Sequence, residues 1–247
     1  MDRRDRVILN SFATECFRDV ADKDYISART HYRLGLIPHF QWSALQAIEK
    51  YLKVILLYNK VSAKGLSHNI SEALRRVYEI PDFDIELTSP ELRLIEHINN
   101  NAQNRYLEQS SYTRGEELLD LDTTVWSLRR YCKVLNYDIK NTKGESVNLL
   151  EQELKHIGSE SYKRDPHKFH LVGGFLESVL QRNKKDELRK MLVWKNFMYG
   201  SRSKRSIKNF SYWSTSHTPP HIRDPERYPV LSEFVDFPHR IKKLMKQ

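Results

Sequence analysis

Apolar residues recur along most of this chain at three- and four-residue intervals, so the pattern predicts helix after helix. Leu9, Phe12, Ala13, Cys16, Phe17 and Val20 share one face of a first helix, about residues 4–20. Tyr25, Ala28 and Tyr32 do the same in a second, about 22–34, before Gly35 and Pro38 break the run. The third helix, about 39–59, carries two neighbouring stripes. One is Leu45, Ile48, Leu52 and Ile55; the other is Ala44, Ala47, Tyr51, Val54 and Tyr58. So wide an apolar arc predicts a helix at the centre of a bundle, or one that packs in its own subunit and against a second. Gln46, Glu49, Lys50 and Lys53 take the remaining face, with Glu49 and Lys53 spaced for an ion pair.

Asn69 reads as the N-cap of a short helix, about 70–78, with Glu72 three residues on and Pro81 closing it. Ser89-Pro90-Glu91 predicts an N-cap, an N1 proline and a first-turn acid, opening a helix to about Leu107. A further helix, about 116–135, repeats Leu118, Leu121, Val125, Leu128, Cys132 and Leu135. Glu116 and Glu117 at its start, with Arg129, Arg130 and Lys133 at its end, suit the helix dipole. After Asn136 a polar loop through Asn141–Gly144 reads as a boundary. Helical pieces follow at about 147–157, 166–181 and 184–198. From Tyr199 onward the period is lost, which predicts an irregular basic strap over the bundle. Its Tyr212 and Trp213 are expected to anchor it to the core rather than stack on bases. The fold expected is all-α: an up-and-down bundle over 1–136, a helical extension over 146–198 and an irregular tail over 199–247.

Composition adds charge to this picture. The 247 residues carry a net +9, and it is local. From Arg182 to Lys208, ten basic residues face only Asp186 and Glu187, a net +8. Such a segment suits an anionic partner, and equally a solvated helix end with a basic loop. For nucleic acid the candidate contacts are Lys184, Lys185, Arg189, Lys190, Arg202, Lys204, Arg205 and Lys208. No apolar run approaches a membrane span and the first residues lack an export signal, so a cytoplasmic protein with no membrane partner is expected. Cys16 and Cys132 fall on apolar faces and read as two buried reduced thiols, although a disulfide is allowed.

Asp24-Tyr25-Ile26-Ser27-Ala28-Arg29, then Trp42 through Leu57 with its core Gln46-Ala47-Ile48-Glu49-Lys50-Tyr51-Leu52-Lys53, and finally Ser67-His68-Asn69-Ile70 form one series. It resembles the HEPN family, in which an alanine-arginine helix precedes a glutamine-alanine-x-glutamate-lysine helix and a histidine opens the next. The likeness covers about residues 5–136, with Asn104-Arg105-Tyr106 and the helix from Glu116 matching the later segments. It implies a helical bundle that commonly forms homodimers around a shared cleft, binds RNA or a nucleotide and serves bacterial stress or defence systems. Catalytic members are metal-independent endoribonucleases with an arginine, a polar residue after it and a histidine a few positions on. Histidine moves the proton of the ribose 2′-hydroxyl or of the leaving oxygen, and arginine holds the charge growing at phosphorus.

Two spans here have that spacing, about the number chance provides among 21 arginines. Arg33 to His39 lacks the polar neighbour and crosses a Gly-Pro break, which reads as a helix end and a loop histidine. Arg164, followed by Asp165, reaches His170 in the first turns of a predicted helix. That pair is the catalytic candidate. His68 reads as helping to cap its helix. His167/His170 and His217/His221 lack neighbouring cysteines, so no metal site is expected, and without a phosphate loop, GxSxG or HExxH motif no cofactor is either. Three functions remain: a homodimeric RNA- or nucleotide-binding module, an endoribonuclease using Arg164 and His170, or a structural dimer that binds an acidic protein.

Overall fold

The computed structural model describes residues 2–102, 116–133, 137–159, 169–200, 220–237 and 239–245, and is mostly helical. Helix α1 (Arg3–Phe12) continues through a π-helical turn (Ala13–Arg18) into α2 (Asp19–Arg33) without a break. The two helices expected here are one helical run, with no break at Asp22, where the second was expected to begin. Asp22 lies mid-helix with its carboxylate turned inward. The π turn widens the helix and resets which side faces the core. Ala13 and Arg18 are buried, whereas Cys16 is exposed and Phe12 is 50% exposed. The expectation of two buried thiols therefore fails at Cys16; Cys132 is buried, and both are free.

Gly35, with φ of 75°, ends α2, its neighbour's amide bonding back from Leu36 to His31 O at 2.9 Å. Helix α3 (Ile37–Tyr58) starts earlier than the Gly-Pro break suggested, since Pro38 occupies the first turn, where its missing N–H costs nothing. Both predicted stripes of α3 are buried, from Phe40 to Tyr58. They are covered by α2, the π turn and three later helices: α4 (Ile70–Tyr78), α5 (Ser89–Asn101) and α6 (Glu117–Arg129). One chain thus satisfies the whole arc, which no longer calls for a second copy. Asn69 caps α4 as predicted, accepting from Glu72 N at 2.9 Å. The α5 cap is Thr88, one residue before the serine expected, with Thr88 N donating to Glu91 Oε2 at 2.6 Å.

Beyond α6 the polar boundary loop is a hairpin. Strand β1 (Asp138–Lys140) pairs antiparallel with β2 (Ser146–Asn148), Ile139 opposite Val147. Then come α7 (Leu149–Ile157), α8 (Phe175–Gln181) and α9 (Glu187–Val193), the last two much shorter than the pieces predicted. Leu171, Leu176, Val179 and Leu192 join the same core as α3. In the tail the expected irregularity gives way to short helices: α10 (Pro220–Arg223), a 3₁₀ turn (Pro225–Arg227), α11 (Tyr228–Ser232) and α12 (His239–Leu244). Pro225 and Pro229 stand in first turns, where a proline opens a helix without losing a hydrogen bond. Phe237 packs against His221 and Tyr228, ring centres 5.0 and 5.1 Å away. Among the described residues no helix is long and apolar enough to cross a membrane.

Candidate nucleic-acid interface

The α8–α9 hairpin carries the described part of the basic segment, and a buried ionic network fixes it to the bundle. Asp22, Tyr25 and Arg29 project from one side of α2, three and four residues apart, toward Asp122 and Arg129, seven apart on α6. Arg129 donates to both oxygens of Asp22 at 2.8 and 2.9 Å and to both oxygens of Glu177 at 2.7 and 2.6 Å. Arg29 pairs with Asp122 and also donates to the carbonyls of Trp194 and, at 3.1 Å, Met191. Tyr25 OH donates to Asp122 at 2.6 Å and accepts from Asn196 at 2.8 Å. Tyr51 OH donates to Asp22 at 2.6 Å.

Burial acts to discharge these groups; at the two arginines the facing charges prevail, whereas at Asp122 burial outweighs Arg29 and raises the carboxyl above its ordinary range. Asp22 holds the Arg129 guanidinium well above its usual range, and Asp122 raises that of Arg29. Burial likewise pushes the Glu177 carboxyl up, but the hydrogen bonds and charge of Arg129 outweigh it and hold the group below the ordinary carboxylate range. Arg29, Asp22, Asp122 and Arg129 are all sealed from solvent. No substrate reaches them, so their role is to seat the hairpin.

Between α2 and the seated hairpin lies a groove of about 510 Å³, lined by Lys23, Ser27, Thr30, His31, Phe175 and Arg182 among others. Lys23 lies over the Phe175 ring at 5.4 Å, and Arg182 makes only a loose 3.5 Å pair with Asp186. His31 Nδ1 is 3.2 Å from Ser43 Oγ, and its ring centre is 5.5 Å from that of His39. Burial, then the charge of His39, lowers the pKa of His31 from its usual value. Two cations, two hydroxyl-bearing side chains and the His31 imidazole line this groove beside the apolar Ile26, Phe175 and Leu188, and cations and hydroxyls are the groups that phosphate contacts use.

The sequence-derived candidates divide. Lys184 and Lys185 are exposed in the turn just past Arg182 and make no ion pair among the described residues. Lys190 is exposed but pairs with Glu187 at 2.6 Å. Arg189 is half-buried, and its Nε donates to Leu180 O at 2.9 Å, so it ties α9 to α8 more than it faces solvent. Arg202, Lys204, Arg205 and Lys208 lie outside the described residues, as do Arg164, His167 and His217. His170 is exposed between the buried Phe169 and Leu171, in irregular chain rather than in the helix predicted for it.

Arg33 ends α2, as read from the sequence, and stacks over Trp194 at 5.1 Å; His39, read as a loop histidine, instead lies in the first turn of α3 and is half of the imidazole pair. The N-cap of α4 is Asn69, and His68, read as helping to cap that helix, precedes it. His68 Nδ1 meets Glu49 Oε2 at 2.8 Å, and Glu49 also holds Lys53 as the spacing foretold. Sequence reasoning missed His31, Lys23 and the clamp of Asp22, Arg129 and Glu177, because the partners are separated by up to 155 residues and no motif links them. A buried His97–Glu117 pair at 2.9 Å was likewise absorbed into a helix-dipole reading of Glu117. Comparison with protein-family models, curated proteins and solved structures found no match to this chain.

Proposed function

We propose that this protein is a helical module of HEPN type that binds RNA or a nucleotide through the α8–α9 hairpin and the groove beside α2. The observation that carries this reading is a cationic edge of Arg182, Lys184 and Lys185 on a hairpin that the Arg129 clamp ties to the bundle, with Lys23 of α2 across the groove; of these only Arg182 forms an ion pair among the described residues, a loose one with Asp186. Lysines at a turn and a helix-borne lysine across a groove meet successive phosphates without reading sequence. A labelled single-stranded RNA titrated by anisotropy tests it. Four phosphate contacts give a slope of log K against log salt near about −3, and Lys184→Ala/Lys185→Ala flattens it by about 1.4. Binding that ignores salt refutes the interface.

A second reading, metal-independent RNA cleavage, is supported by the pairing of His31, which lines this groove, with His39 beside it. One imidazole takes the proton of a 2′-hydroxyl while the other protonates the leaving 5′-oxygen. RNA incubated with the protein and EDTA tests it. Cleavage lost in both His31→Ala and His39→Ala assigns that pair; cleavage lost instead in Arg164→Ala and His170→Ala assigns the sequence-derived pair. An inert wild type removes both.

A further inference from the structure

Three arginines are buried around α6, and one is unlike the others. Arg29 and Arg129 meet carboxylates, whereas Arg130, 4% exposed, forms no ion pair among the described residues. Its guanidinium stacks over Trp126 at 4.0 Å, and a single weak bond runs from Nη1 to Ile157 O at 3.3 Å. Its Nε has no hydrogen-bond partner. Burial pulls this guanidinium below its usual pKa. A buried donor of a charged group left without a partner is costly, and an ion or ligand that completes the group is one explanation for it, beside strain or a bound water.

Arg130 lines a cleft of about 700 Å³ that is separate from the cationic groove. The cleft runs between the start of α5, the outer face of α6 and the chain just after α9. Leu87, Leu119, Phe197 and Met198 make its wall apolar, and Trp126 backs the guanidinium. Four acidic residues also line it: Glu86 and Glu116 are exposed, Asp120 is half-buried, and Glu91 is buried like Arg130 but occupied by Thr88 N and Ser127 Oγ. That combination selects by charge pattern. A phosphate or other pure anion meets carboxylates as well as Arg130, and a pure cation meets a buried guanidinium. An apolar molecule with one group of each sign suits both, and a carboxylate matches the planar fork of arginine.

We propose that this cleft binds a small zwitterion with an apolar body, of the free α-amino-acid class, its carboxylate on Arg130 and its ammonium toward Glu86 and Glu116. The site is independent of the RNA-binding reading and stands or falls apart from it. Titration calorimetry of the full chain tests it with L-phenylalanine and L-leucine as probes. Phenylacetate, lacking the ammonium, and phenethylamine, lacking the carboxylate, are the comparisons. At least one amino acid should bind with a dissociation constant below about 1 mM, and each half-ligand at least tenfold more weakly.

Arg130→Lys, which keeps the charge and removes Nε, should weaken binding at least tenfold. Leu119→Trp fills the cleft from a half-buried wall position and should abolish binding, with the helical circular dichroism retained. The proposal is overturned if neither amino acid binds at 10 mM, or if either half-ligand binds as well as the zwitterion. Undiminished binding to a folded Leu119→Trp variant overturns it too, because the site then lies elsewhere.

Discussion

Replacing Glu177 by glutamine tests whether the ionic clamp seats the cationic hairpin. Glu177 accepts from Arg129 at 2.7 and 2.6 Å and from the Leu171 amide at 2.9 Å. The glutamine has nearly the same shape, but its one carbonyl oxygen cannot serve three donors, and its NH₂ must face a donor. Arg129 keeps its two bonds to Asp22, so no isolated charge is created. The loss is therefore smaller than for breaking a buried pair outright. It amounts to roughly one charge-assisted bond and one frustrated contact, about 2–3 kcal/mol.

Because Glu177 stands on α8, this energy is lost from the seating of residues 169–200 rather than from the α3 core. Hydrogen exchange by mass spectrometry reads it. Amides of α8 and α9 should exchange about 30- to 150-fold faster in the variant, while those in the middle of α3 are unchanged. The same carboxyl gives a pH signature. Its native pKa lies below the unfolded one, so its contribution is complete above the ordinary carboxylate range and fades as pH falls through the native value. Acid-induced loosening of the hairpin should therefore be blunted in Glu177→Gln. Equal protection of α8 and α9 in both proteins, or a uniform change that includes α3, refutes the clamp.

Two further outcomes follow from named groups. A phosphate in the groove favours protonated His31, whose neighbours are Ser43, His39, Lys23 and Arg182. Since the free protein holds its pKa below about 6.5, RNA affinity should rise as pH drops through that region, and His31→Asn should abolish the rise; a flat wild-type profile counts against the groove. Iodoacetamide should label Cys16 in the native protein and reach Cys132 only in denaturant, because Cys132 is buried with its thiol pushed far up; peptide mass mapping that finds Cys132 alkylated natively contradicts that packing.

Local information alone determined a good deal of this protein. Periodicity located α3 and both its buried stripes, and Asn69 and Glu72 announced the start of α4, since each depends on residues within a turn or two. The concentration of charge after Arg182 is likewise a property of the chain itself. What the sequence could not express is which polar residue a helix turns inward, and toward what. Arg129 and Arg130 both read as cations soothing a helix end. In the fold one closes a clamp with Asp22, 107 positions earlier, and the other is buried against a cleft with an unpaired Nε. The π turn moved Cys16 to the surface by resetting the helix phase, which no hydrophobic pattern records. Packing decided these points because hydropathy encodes how much a residue avoids water. The partner that makes burying a charge tolerable is chosen only when distant segments meet.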